Sequence, residues 1–282
     1  MLPFGDDMVL QHGRPAAIFG LAKAGATVVV AYNGKTYSTT ANPDPFAVGW
    51  STPLASNSWR VELDPQPAGP AQGNITVSCA SCDTNASTAV LSRVLFGEVF
   101  ICSGQSNMEL PLQNTFSWWT DFEETDIWSK ANSKQYISND TDYPIRTLQI
   151  GHNVQLRENL TFASPLPSWT IPSYEALKSF SATCWYTARA MYNLQSKGYK
   201  TPFGMIEASW GGTIIEAWIP IEDQYVCTNR YCEDYVDGNG LAVGKCNRSH
   251  TTVPNEQPGS LWNGEIAPLA NMTINGVIWY LL

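Results

Sequence analysis

Arg93 to Leu110 reads RVLFGEVFICSGQSNMEL, and its middle decides the fold. The apolar run Val99-Phe100-Ile101-Cys102 suits a strand buried on both faces. Ser103 and Gly104 interrupt it, and glycine tolerates the positive φ that a sharp reversal needs. Gln105-Ser106-Asn107 follow, which puts a small hydroxyl side chain at the tip of the reversal. A strand, a tight turn and an exposed Ser together make a platform for a nucleophile. On residue types alone, an ordinary polar loop after a strand is the commoner outcome.

Known nucleophile elbows use the same mechanics in the pattern G-x-S-x-G. Here Gly104-Gln105-Ser106-Asn107-Met108 lacks the second glycine.

Outward from this stretch the chain changes character. Residues 1–92 read as short strands with turn signals. Thr27–Tyr32 is a strand, Asn33-Gly34 a hairpin turn, and Lys35–Thr40 its partner. Ser58–Leu63 alternates and stops at Asp64-Pro65, and Asn74–Ser78 is a further strand. This spacing predicts a small β-sandwich over 1–92, serving as scaffold or as carbohydrate contact. From 93 to 282 the pattern turns to α/β. Ile145–Ile150 and Phe203–Ala208 are strands. Phe116–Tyr143 reads as a helix and a long loop. Ser181 caps a helix running to about Lys197, with Gly198 beyond it. Val277–Leu282 reads as a strand of the buried type. Strands alternating with helices predict a doubly wound parallel sheet.

The totals narrow the function. In 282 residues, 44% hydrophobic and 15% charged content favours a sizeable core over disorder. Eleven Trp and twelve Tyr leave aromatics to spare for a carbohydrate-facing surface. A net charge of -9, from 16 basic and 25 acidic residues, disfavours nucleic acid and anionic lipid. No apolar run approaches the roughly 20 residues of a membrane span.

Met1-Leu2-Pro3-Phe4 lacks the regions of a signal peptide. Yet Asn-x-Ser/Thr sequons begin at Asn74, Asn85, Asn139, Asn159, Asn247 and Asn271, which favours the secretory route. Together these suggest a sequence incomplete at its start. Among seven Cys, Cys79-Ala80-Ser81-Cys82 has no second ligand pair for zinc and reads as a local disulfide or two free thiols. A bridge between two of Cys227, Cys232 and Cys246 is plausible. Cys102 and Cys184 lie in apolar contexts and are expected to be buried and inert. Cys102 as a thiol nucleophile is a weak alternative, since it precedes the turn and has no basic neighbour. The odd total leaves one Cys unpaired.

FGEVFICSGQSNMEL resembles the nucleophile block of the sialate O-acetylesterases, a branch of the SGNH-type esterases. Three further stretches resemble the same family in the same order. They are Asp7–Gln11; Ser209-Trp210-Gly211-Gly212-Thr213 with Glu216-Ala217-Trp218; and Leu261-Trp262-Asn263 with Asn271-Met272-Thr273 and Gly276–Tyr280. The resemblance implies an SGNH-like α/β esterase domain over 93–282 and Ser106 as nucleophile. It implies oxyanion donors at the Ser106 N–H and at Gly211 or Gly212, which it does not separate. Gln105, Asn107 and Glu109 would support the site. It implies no metal and no cofactor, and as substrate an O-acetylated sialic acid or another acetylated carbohydrate. The location implied is lysosomal or secreted. The oligomeric state stays open.

The same family places an Asn after a Trp-Tyr-Gln-Gly-Glu-type stretch and a base in an Asp-x-x-His pair near the C-terminus. Here Trp279-Tyr280 is followed by Leu281-Leu282, and His12, His152 and His250 stand three residues after Val9, Gln149 and Asn247. His152 and His250 read as surface loop residues. The expectation is a chain truncated at its C-terminal side and nearly inactive by itself. The alternatives are a non-catalytic relative that binds acetylated glycans and an acetylxylan-type esterase.

Overall fold

A computed structural model describes residues 3–41, 57–82, 88–116, 144–155, 167–195, 201–220, 223–224, 232–236, 242–246 and 254–281. Its centre is β9 (Leu95–Gly104), longer than the apolar run at its heart. Before it come β1 (Val9–Gln11), β2 (Ala16–Ala22), β3 (Thr27–Tyr32), β4 (Lys35–Thr40), β5 (Asn57–Leu63), β6 (Gly69–Pro70), β7 (Ile75–Cys79) and β8 (Thr88–Leu91). After it come β10 (Ile145–Gln149), β11 (Trp169–Thr170), helices α1 (Tyr174–Leu177) and α2 (Ala182–Asn193), and β12 (Phe203–Ser209). Last come β13 (Cys232–Val236), β14 (Ala242–Cys246) and β15 (Gly276–Tyr280).

β9 pairs in parallel with β12 along one edge and with β15 along the other, and β12 pairs in parallel with β10. The crossover from β10 to β12 carries α2, so the expected α/β sheet is present. Side-chain alternation sorts the two faces. Phe203 and Met205 of β12 join Cys102, Phe180, Cys184 and Trp185 in a core beneath α2. Ile206 and Ala208, with Val99 and Ile101 of β9, join a second core on the opposite face. That face is covered by the early strands, whose Ile18, Val28, Val30 and Leu63 belong to the same cluster. Those strands form the antiparallel sheets β2-β5 and β4-β3-β7-β8. β1 leaves them and pairs in parallel with the start of β9.

Local signals explain the boundaries. Asn33 and Gly34 both take left-handed φ, 48° and 74°, as a two-residue turn matching the twist of β3 and β4 requires. Ser181 caps α2, its side chain accepting the Cys184 N–H at 3.1 Å. α2 ends at Asn193, short of the expected Lys197; residues 196–200 lie outside the described set.

Two expectations need correction. Cys102 and Cys184 are buried, but they are not free thiols: they form a disulfide with Cα atoms 5.8 Å apart. The apolar context of both hid the pairing, because only the packing of α2 over β12 and the nucleophile turn, beside β9, brings them together. β15 is not buried on both faces. Val277 and Trp279 point outward while Ile278 and Tyr280 pack against the α2-side core. Among the described residues β15 pairs only with β9.

Of the alternatives left open for Cys79 and Cys82, the structure has the disulfide. Cys232 and Cys246 are register partners across β13 and β14; Cys227 lies outside the described residues. The expected helix of 116–143 lies outside them too, save Phe116 itself.

Candidate active site

The chain reverses at the carboxyl end of β9. Gly104 has φ 121° and Ser106 has φ 54°, one of the few non-glycine residues on the left-handed side among those described. Such a backbone costs a non-glycine residue of the order of 1–3 kcal/mol, and such strain clusters at functional sites. Ser106 opens a short 3-10 turn, Ser106–Met108, and stays exposed while Met108 is buried. The turn is clamped on both sides. The Gln105 N–H donates to the Tyr280 carbonyl at 2.8 Å, and the Trp210 N–H donates to the Gly104 carbonyl at 3.0 Å. Ser106 therefore sits where the chain leaves β9 toward β10 on one side, while the connection after β12 returns past β9 to β15 on the other. Open α/β sheets place their ligands in that crevice.

The glycine turn lies beside it. A Cβ on Gly211 would stand 3.6 Å from the Ser106 backbone nitrogen and 2.6 Å from Glu109 Oε2. Both glycine N–H groups already have partners. Gly211 donates to Glu109 Oε2 at 2.5 Å, and Gly212 to the Gln105 side-chain oxygen at 3.3 Å. Thr213 Oγ1 donates to the Trp210 carbonyl at 2.7 Å and accepts from Trp218 Nε1 at 2.9 Å, closing the turn from behind. Asn107 donates through Nδ2 to the Tyr280 hydroxyl at 3.2 Å, and its carbonyl accepts from Thr183 Oγ1 at 3.0 Å. Ser106, Gly211, Gly212, Gln105, Asn107 and Glu109 thus gather at one edge of the sheet.

By sequence His152 reads as a surface loop residue. It is exposed, but its Nε2 lies 2.7 Å from Glu109 Oε1, and its ring stacks on Trp210 with centroids 3.9 Å apart. Its position just after β10 was the available signal, because loops that follow parallel strands converge on one edge. His12 bonds Glu98 near the opposite end of β9, and His250 lies outside the described residues.

Two buried carboxyls below the site were also missed. Glu207 ends two residues before Ser209, whose hydroxyl donates to it at 2.8 Å; burial pushes its carboxyl up to about 8. Glu265 sits in a π-helical turn, Trp262–Ile266, and burial likewise raises its carboxyl to about 8. It accepts the Asn153 N–H at 3.2 Å, and Asn153 Nδ2 donates to the Gly264 carbonyl at 2.8 Å. The π-turn thus pins the loop that carries His152.

Of the sequons, Asn74 is exposed and Asn271 half-buried; Asn85, Asn139, Asn159 and Asn247 lie outside the described residues.

No protein-family model matches the chain. It is similar to sialate O-acetylesterases from Pongo abelii and Homo sapiens, at 30% identity over 98% of this chain and 46% of each relative. The Mus musculus sialate O-acetylesterase is 28% identical over 97% of this chain and 49% of the relative. The chain spans about half the length of the curated relatives it matches. Its backbone superimposes on a carbohydrate acetylesterase from Xanthomonas citri with a TM-score of 0.69, at 22% identity, over all of this chain and 51% of that one.

Proposed function

We propose, from a likeness to the sialate O-acetylesterases that runs over 98% of the chain, that it is a member of that family and that Ser106 is the nucleophile of a carbohydrate O-acetyl esterase. One observation carries the reading: Ser106 is exposed in a left-handed turn at the carboxyl end of β9, with the Gly211 turn against its backbone nitrogen. In the reaction, Oγ bonds to the acetyl carbonyl carbon while its proton passes to a base. The carbonyl oxygen becomes an oxyanion received by the Ser106 N–H and a glycine N–H. The sugar oxygen leaves as a protonated hydroxyl. Water then displaces the acetyl group from Ser106, releasing acetate and a proton.

The substrate proposed is an O-acetylated sialic acid. The disulfides Cys79–Cys82 and Cys102–Cys184 support an oxidising compartment, and with the sequons they favour a lysosomal or secreted protein. None of the three His follows an Asp by three positions, so the 282 residues alone are expected to turn over slowly.

The test is acetate release from 9-O-acetylated sialosides, with acetylated xylan as the competing substrate. A chimera joining this chain to the part of its human relative that it does not cover should release acetate, and Ser106→Ala should abolish it. Glycan binding without Ser106-dependent release by that chimera would sink the esterase reading in favour of a binding relative. Preference for acetylated xylan would reassign the substrate. Fast, Ser106-dependent turnover by the 282 residues alone would overturn only the claim of slowness.

A further inference from the structure

Glu109 lies between the nucleophile turn and the glycine turn, and both of its oxygens are engaged. Oε2 accepts the Gly211 N–H at 2.5 Å, and Oε1 is paired with His152 Nε2 at 2.7 Å. The second contact means that the carboxylate is held as well as holding. His152 is fixed by its stack on Trp210 and by its neighbour Asn153, which the π-turn grips through Glu265 and Gly264. A hydrogen bond from a backbone N–H to a carboxylate is charge-assisted and roughly twice as strong as one to a neutral amide. The Gly212 N–H differs. Its acceptor is the neutral Gln105 side chain at 3.3 Å, and a Cβ on Gly212 would meet nothing within 4 Å. A developing oxyanion outcompetes a long bond to a neutral amide more readily than a short bond to a carboxylate.

We propose that Glu109 is a positioning residue, held by His152, that occupies the Gly211 N–H and leaves the oxyanion donation of this turn to Gly212. The inference rests on Ser106 as nucleophile, and it separates two glycines that the sequence could not.

Two measurements on the 282-residue protein test it without requiring turnover. The first is amide hydrogen exchange by NMR. Glu109→Ala should speed exchange at Gly211 at least tenfold, while Trp210, bonded to Gly104, stays unchanged. Glu109→Gln keeps an acceptor oxygen and should restore most of the protection, and His152→Ala should speed Gly211 by a few-fold. Unchanged exchange at Gly211 in Glu109→Ala, or equal acceleration at Trp210, overturns the positioning role.

The second is methylboronic acid, an acetyl-sized mimic of the tetrahedral intermediate. Ser106 Oγ bonds to boron and releases its proton to water, leaving a boronate anion in the oxyanion seat. The Gly212 amide resonance should shift strongly and Gly211 little. The reverse pattern overturns the donor assignment. If no adduct forms, or if one forms equally in Ser106→Ala, the Ser106 reading fails and the donor assignment with it, while the exchange experiment still decides the role of Glu109.

Discussion

Gly104 lies so close to Tyr280 that a Cβ added to it would stand 1.9 Å from the Tyr280 carbonyl oxygen. That oxygen accepts the Gln105 N–H, so β15 cannot retreat without freeing the nucleophile turn. Gly104 also holds φ at 121°. Gly104→Ala therefore meets both a steric and a dihedral penalty. It should cost about 3 kcal/mol or more in urea unfolding, in the range of the most damaging single substitutions. Gly212→Ala separates the two effects. Gly212 has φ 74° with open space at its Cβ, so it should lose only the dihedral part, about 1–2 kcal/mol. Equal losses at the two sites would show that the contact with Tyr280 does not matter.

The Cys102–Cys184 bridge ties β9, two residues before Gly104, to the first turn of α2 across a sequence separation of 82. Closing a loop of that length restricts the unfolded chain by about 4–5 kcal/mol in the chain-entropy picture, and measured losses run about 2–5 kcal/mol. Cys102→Ser with Cys184→Ser should lower the urea midpoint accordingly. Cys79→Ser with Cys82→Ser, which opens a loop with a separation of only 3, should change it much less. A midpoint more sensitive to the short bridge would contradict this ranking.

Ser181 joins α2 to the nucleophile turn. Its Oγ caps the helix at the Cys184 N–H and lies 3.7 Å from the sulfur of buried Met108. Ser181→Ala should cost about 1 kcal/mol, the usual loss of a cap. Ser181→Asp restores the acceptor but adds a charge to a fully buried position, so it should be worse than Ala. Thermal unfolding of the two variants checks the order.

What could be read beforehand was local chemistry. The hairpin at Asn33-Gly34, the cap at Ser181 and the strand into Gly104 are each written in neighbouring residues. The turn at Ser106 was legible for the same reason, and the family resemblance supplied its chemistry. The illegible features join segments distant in sequence. His152 meets Glu109 only because β10 and β9 both flank β12 and end at one edge of the sheet. Cys102 meets Cys184 only because α2 lies back over β12, the strand beside β9. The outward face of β15 was misread because an apolar run does not show how many neighbours a strand has.

Glu207 and Glu265 give the molecule a pH signature. Burial is the main cause of both shifts, and each carboxyl rises from 4.5 to about 8. In the folded protein they hold their protons between these values, whereas in the unfolded chain they are ionised. The folded state then binds more protons than the unfolded one, so stability falls as pH rises. The contribution is whole below about 4.5 and is lost progressively as pH climbs through about 8. Each unit of difference corresponds to about 1.4 kcal/mol. The urea midpoint should therefore drop between pH 5 and pH 8.5, by on the order of a few kcal/mol in unfolding free energy. Glu207→Gln and Glu265→Gln carry no titrating proton, so each should flatten the slope and be relatively more stable than the parent at pH 8.5. A parent midpoint that is level across this window, or variants with the same slope as the parent, would mean that these carboxyls are ionised in the fold.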